Sequence, residues 1–209
     1  MKILIAILSC KKDQVWHQQA RETWLVNCPV DYKFFLGKLA FAYDEVELDA
    51  PDSSRHLYKK TQRMIQYAFE NEYDFLFKCD IDTYVHVPRL LKSGFEKHEF
   101  SGYNGAYGGS GYWLSRQAMK VLLESPSLDW CPTEDGWVYH SLGNRGIRPF
   151  QDKRYHSLTS EGPAPENDLI TSHWYSDHSQ NPERIVHSKE RLNLIPVLHK
   201  KAQEIKEDA

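Results

Sequence analysis

Two carboxylates set two residues apart are the first residues in this chain that could do chemistry. In Lys78-Cys79-Asp80-Ile81-Asp82 they directly follow the apolar run Phe75-Leu76-Phe77. If that run is a strand, extended backbone turns Asp80 and Asp82 to the same side. Two hard oxygen donors at the mouth of a sheet suit Mn²⁺ or Mg²⁺ carrying a diphosphate. Two solvated acids in a turn would give the same tripeptide, so the pair does not decide alone. A second acidic pair, Glu134-Asp135, follows Thr133. Thr133 predicts an N-cap for a helix over 134–142, and its two acids fall in the first turn, where the helix dipole favours them. Between the two pairs lies a glycine-rich, aromatic stretch over 105–114, with Gly108 and Gly109 at its centre. That composition fits a short strand pair approached closely by a ligand.

The elements that must position these residues follow from periodicity. Ile3 to Leu8 is a continuous apolar run of the kind buried on both faces of a parallel sheet. Val15, Ala20, Trp24 and Leu25 recur at about helical spacing and predict a helix over 14–26, with Trp24 in the core, before a second strand over 32–36. Leu57, Met64, Ile65, Ala68 and Phe69 predict an amphipathic helix over 57–70 that feeds the strand ahead of Asp80. Pro88 opens a further helix, and Ser115 caps one over 116–123. Residues 151–182 show little period and many Ser, His, Pro and aromatic residues, which predicts a functional lid. Alternating strands and helices over 209 residues predict a single α/β domain spanning 1–209, with a mainly parallel sheet flanked by helices. In such sheets ligands bind outside the carboxyl ends of the strands, where Asp80 and Asp82 would lie.

Composition narrows the partners. The chain is 41% apolar and 26% charged with a net charge of −3, so disorder is disfavoured and no cationic field offers itself to nucleic acid. Cys10, Cys28, Cys79 and Cys131 form no CxxC pair and are read as reduced thiols of a cytoplasmic protein. The apolar run at Ile3 is too short to span a bilayer, so no transmembrane segment is expected.

In order and spacing, Arg21-Glu22-Thr23-Trp24, Phe34 to Gly37, Asp52-Ser53 with Leu57 and Lys60-Thr61, Lys78 to Asp82 with Val85 and Val87-Pro88, Gly108 to Ser115, and Glu134-Asp135 resemble the β-1,3-galactosyltransferase and fringe-like glycosyltransferases. The resemblance runs over roughly residues 2 to 175. It implies a GT-A-like fold, a UDP-sugar donor, a divalent metal and transfer with inversion to a glycan or lipid-linked saccharide. Asp80 and Asp82 match the metal motif, with Ile81 in place of its usual middle acid. Asp135 matches the catalytic base, which takes the proton of an acceptor hydroxyl.

Ile170-Thr171-Ser172-His173 resembles the stretch that ends in a ligand histidine, so His173 is the expected third metal ligand. His156, in Tyr155-His156-Ser157, is the second choice ahead of His178 and His187. Arg21 and Lys60 become donor-side candidates, through phosphate contact or structural pairing. Gly108 and Gly109 would let backbone approach a sugar. Tyr107, Tyr112, Trp113, Trp137 and Trp174 could stack on sugar faces, with three of these five expected to be plain packing.

The sequence departs from the pattern at Gly136-Trp137, where an apolar β-branched residue is usual. It also shows no stem or anchor, which suits a bacterial or viral type of enzyme. Two alternatives remain open at this point. One is a non-catalytic carbohydrate-binding module of the same fold. The other is a phosphatase of the haloacid-dehalogenase kind, although Tyr84 stands where that pattern wants a small Thr or Val.

Overall fold

A computed structural model describes residues 1–38, 40–53, 56–103, 108–128, 131, 133–158, 169–174 and 199–200, with backbone alone for 156–158 and 172–174. The run Ile3–Leu8 forms β1, and all six of its side chains are buried. Alternate residues serve opposite layers. Ile3, Ile5 and Ile7 join Trp24, Phe34, Phe77 and Trp113 on one face, and Leu4, Ala6 and Leu8 join Met64, Ile65, Leu122 and Trp137 on the other. A strand buried on both faces has no solvent side to show, which is why its sequence lacks a period of two.

In chain order, α1 spans Gln14–Glu22, β2 Asp31–Leu36, β3 Glu45–Glu47, α2 Leu57–Glu70 and β4 Phe75–Asp80. Thr83–Val85 forms β5, Val87–Leu91 α3, Phe100–Gly102 β6 and Tyr112–Ser115 β7. Arg116–Leu123 forms α4, Glu134–Gly143 α5, Phe150–Gln151 β8, Tyr155–Leu158 β9 and Thr171–Trp174 β10. Seven strands make one sheet in the order β3-β2-β1-β4-β7-β6-β8. Neighbours from β3 through β4 run parallel, β7 opposes both β4 and β6, and β8 runs parallel to β6. The sheet is therefore mixed and mostly parallel, and α2, α4 and α5 pack together over one face.

The predicted helix over 57–70 forms at those bounds, and the helices at 116 and 134 start where their caps predict. Ser115 Oγ accepts from the Ala118 amide at 3.1 Å, and Thr133 Oγ1 from the Gly136 amide at 3.2 Å. The first helix is shorter than its periodicity suggests and stops at Glu22. Trp24 and Leu25, both buried, lie past its end. The chain instead leaves the helix through a turn in which the Leu25 amide bonds back to the Ala20 carbonyl at 3.0 Å.

The largest correction concerns 151–182, which is not simply aperiodic. It supplies β9 and β10, which join β5 in a second, three-stranded sheet of order β5-β10-β9. Tyr155 and Ile170 anchor it in the core at 1% exposure each. Four-residue strands paired across the chain carry too little local pattern to be read. The lid expected over the rest of this stretch, and His178 and His187 with it, lie outside the described residues. No described helix is long and apolar enough to cross a membrane.

Candidate active site

The site gathers around a lysine. Lys78 lies in β4 with its side chain fully buried, and its ammonium donates to Asp80 Oδ1 at 2.8 Å, to the Gly108 carbonyl at 3.2 Å and to Glu134 Oε2 at 3.3 Å. Three separate segments thus meet at one cation: the end of β4, the glycine loop before β7 and the first turn of α5. Tyr112 of β7, also fully buried, donates its hydroxyl hydrogen to Glu134 Oε1. Gly108 lies against Lys78, Glu134 and Asp135. A Cβ on it would fall 2.6 Å from Asp135 Oδ1, from Glu134 Oε2 and from Lys78 Nζ, so only glycine leaves room for this gathering of charge.

The glycine loop is gripped by its carbonyls. Lys78 donates to that of Gly108, Thr83 Oγ1 to that of Gly109 at 2.6 Å, and Thr171 Oγ1 to that of Ser110 at 2.7 Å. The donors come from β4, β5 and β10. Polar backbone buried in this way needs such partners, and they turn a glycine-rich segment into a fixed wall.

The electrostatics sort the acids. Burial pushes Glu134 well above the ordinary carboxyl range, and the Asp135 charge adds to this against the pull of Lys78. Burial acts the same way on Asp135, but the hydrogen bond to Glu134, the Lys78 charge and the Gly108 amide outweigh it, and its pKa is lowered. Asp135 is therefore the ionised member of the pair. Burial works to discharge Lys78, yet Asp80, Glu134 and Asp135 together hold it protonated.

Of the residues singled out from sequence, Asp80, Gly108 and Asp135 converge here, and Gly109 belongs to the same wall. Asp82 follows at the carboxyl end of β4. The fit to a divalent ion rests on donor chemistry: two carboxylates on one strand end leave coordination positions for phosphate oxygens, as Mg²⁺ and Mn²⁺ sites do. Among the described residues no three His, Cys, Asp or Glu side chains gather as a self-contained metal centre. The backbone of His173 pairs in register with Thr83, the residue after Asp82, and β10 stands between β5 and β9, which carries His156.

Arg21 and Lys60 have other partners. Arg21 makes a two-pronged contact to Asp44 at 2.8 and 2.7 Å and reaches Glu45 at 3.2 Å. Lys60, 3% exposed, donates to the Ser9 carbonyl and to Asp52 at 2.7 Å. Beside them His17 is buried between Ser9 Oγ at 2.7 Å and Glu45 at 2.8 Å. Three of the five aromatic candidates are core: Tyr112 holds Glu134, Trp113 stacks on Phe95 at 3.8 Å, and the Trp137 indole donates to the Pro126 carbonyl at 3.2 Å. Tyr107 lies outside the described residues, as does the side chain of Trp174. Sequence reasoning held Glu134 only as the fallback base, and it did not foresee that Lys78 and Glu134 are buried together. The signal available was an isolated lysine in an otherwise apolar strand.

No family profile matches the chain. Among solved structures it is similar to a glycosyltransferase involved in the glycosylation of the major capsid of PBCV-1, with a TM-score of 0.58 and 15% identity, over 94% of this chain and 100% of that one. At that identity the likeness is one of fold. The architecture is the α/β one that the order of elements predicts, with the GT-A-like form that the family resemblance implies.

Proposed function

We propose that the protein is an inverting, metal-dependent glycosyltransferase that moves a sugar from a UDP-sugar to a saccharide hydroxyl, forming a β-linkage. The observation that carries this reading is the meeting of Asp80 and Asp135 beside Lys78 at the carboxyl end of β4, in a mostly parallel sheet. The likeness in fold to a glycosyltransferase supports it.

In this reading Asp80, Asp82 and His173 hold Mn²⁺ or Mg²⁺. When bound, the ion neutralises the diphosphate and stabilises it as it leaves. The chain's own work is positional and basic. Asp135, kept ionised, accepts the acceptor hydroxyl proton as that oxygen attacks the anomeric carbon from the face opposite UDP. Gly108 and Gly109 form the wall against which sugar can lie closely, and a single attack on the opposite face yields inversion. Lys60 braces the chain at Ser9, just past the carboxyl end of β1, and Arg21 braces Asp44 and Glu45 at the start of β3.

A thermal-shift screen of nucleotide-sugars with and without Mn²⁺ tests the reading. A UDP-sugar is expected to raise the melting temperature only when the divalent ion is present, and donor hydrolysis without acceptor separates turnover from sugar binding. Tight metal-free UDP binding in calorimetry, or phosphate release from phosphomonoesters with no donor turnover, overturns it.

A further inference from the structure

Glu134 Oε2 and Asp135 Oδ1 both border the space beside Gly108, next to Lys78 Nζ. Two ionised carboxylates there could only repel, since each only accepts. Lys78 is shared with Asp80 as well, so a hydrogen on one of the two acids relieves that repulsion. Glu134 is 1% exposed and closed in on every side, whereas Asp135 is only partly buried. The charged and titratable groups facing Glu134 are Lys78 and Asp80 from β4, Tyr112 from β7 and Asp135 from its own helix.

With the hydrogen placed on the more buried acid, Glu134, every contact is satisfied. Tyr112 donates to Glu134 Oε1, and Lys78 donates to Oε2. Oε2 and Asp135 Oδ1 both lie 2.6 Å from the point a Gly108 Cβ would occupy, so these oxygens crowd the same place. A carboxylic acid hydroxyl at Oε2 can accept from Lys78 and donate to Asp135 together.

We propose that Glu134 is the positioning residue of the catalytic base: a neutral carboxylic acid, clamped by Lys78 and Tyr112, whose hydrogen is donated to Asp135. This rests on the reading of Asp135 as base. The donated hydrogen occupies one lone pair of Asp135 and orients the carboxylate, leaving another to take the acceptor proton. Asp135 gains that proton, and Glu134 keeps its own throughout. Burial of Glu134 is what holds the hydrogen on it rather than on its neighbour.

Infrared difference spectroscopy at neutral pH, wild type against Glu134→Gln, tests the proton directly. The wild-type protein should show the carbonyl stretch of a protonated carboxylic acid, and the variant should lack it. In kinetics, Glu134→Gln keeps an N–H donor toward Asp135 but cannot accept from Lys78, which retains Asp80 and the Gly108 carbonyl. Its kcat should fall by about 10-fold with donor KM unchanged, whereas Glu134→Leu, which removes the donor, should lose ~10²- to 10³-fold in kcat, again at unchanged KM. Should the leucine variant not fold, the glutamine variant and the spectrum still decide. Absence of the carboxylic acid band overturns the proposal, as does a Glu134→Gln loss equal to that of Asp135→Asn. A wild-type protein that transfers no sugar overturns the functional reading instead, and the infrared band still reports on Glu134.

Discussion

Lys60 and Lys78 are both buried lysines that reach a carboxylate and a backbone carbonyl near the ends of central strands, and their surroundings differ in one respect. Lys60 meets a single acid, Asp52, and the pair is balanced. Asp52 also receives the amides of Gly37 at 2.8 Å and Lys11 at 3.2 Å, so both of its oxygens are bonded. Lys78 is faced by Asp80, Glu134 and Asp135 and cannot neutralise all three. The first arrangement is complete as it stands. The second carries surplus acid that must be met by a proton, which Glu134 holds, or by a cation and substrate at the strand end. A buried charge pair is weak evidence of function, but an unbalanced one is better evidence, because desolvated charge without compensation costs stability that folding alone has no reason to accept.

The comparison is broken most completely at Asp82. Asp82→Ala should abolish turnover and metal-dependent donor binding together, because the diphosphate then meets the remaining acids uncompensated; calorimetry with UDP and Mn²⁺ checks it. Asp135→Asn should lower turnover by about 10²- to 10⁴-fold and leave UDP and metal affinity near wild type, the signature of a base rather than a ligand. If excess Mn²⁺ rescues that variant, Asp135 is a ligand and Glu134 becomes the base to test.

Gly108→Ala strikes the wall itself. Its methyl meets Asp135, Glu134 and Lys78 at 2.6 Å, so turnover should fall on the order of 10- to 100-fold, with a stability loss of about 1–3 kcal/mol in urea melts. Lys60→Met should show the reverse balance. Removing one partner of a buried pair costs about 3–5 kcal/mol, discounted here because Asp52 is 20% exposed, while kcat changes by less than about threefold. A large loss of kcat at unchanged stability would place Lys60 against the donor.

The smallest effect is the sharpest in sign. Burial would raise the Glu45 carboxyl, but the amides of Phe41 and Ala42 with His17 and Arg21 hold it down at about 2. Its contribution to stability is present above its ordinary value of 4.5 and is lost as pH falls toward about 2. Glu134 is shifted upward, so its contribution is full at acid pH and is lost as pH rises beyond the ordinary carboxyl range. Melts across pH should show Glu45→Gln flattening the acid limb and Glu134→Gln flattening the decline on the other side. Parallel curves for both variants would contradict the contrast.

Much of the frame is legible from local pattern. The 3–8 run, the 57–70 helix, the strand ahead of Asp80 and the caps at Ser115 and Thr133 are written in consecutive residues, and they deliver Asp80 and Asp135 to the ends of their elements. What is missed is non-local. Lys78 and Glu134 lie 56 residues apart, and nothing near either one announces the other. Arg21 finds Asp44 across 23 residues, so its helix-face appearance conceals a structural pair. The three-stranded sheet escapes for the same reason, since β10 pairs with β5 across more than 80 residues with only three or four residues on each side. Tyr112 reads as a sugar platform because aromatics beside glycines do so often. Its hydroxyl turns inward because a buried acid needs a donor.

The grip on the glycine loop also bears on how the protein is made. All seven strands of the main sheet have been synthesised by Gln151, whereas Thr171, which holds the Ser110 carbonyl, emerges some twenty residues later. On the ribosome the sheet can therefore assemble while the wall beside Asp135 still lacks one of its three anchors. A nascent chain or truncated product ending before Thr171 would carry the scaffold with the wall beside Asp135 unfinished.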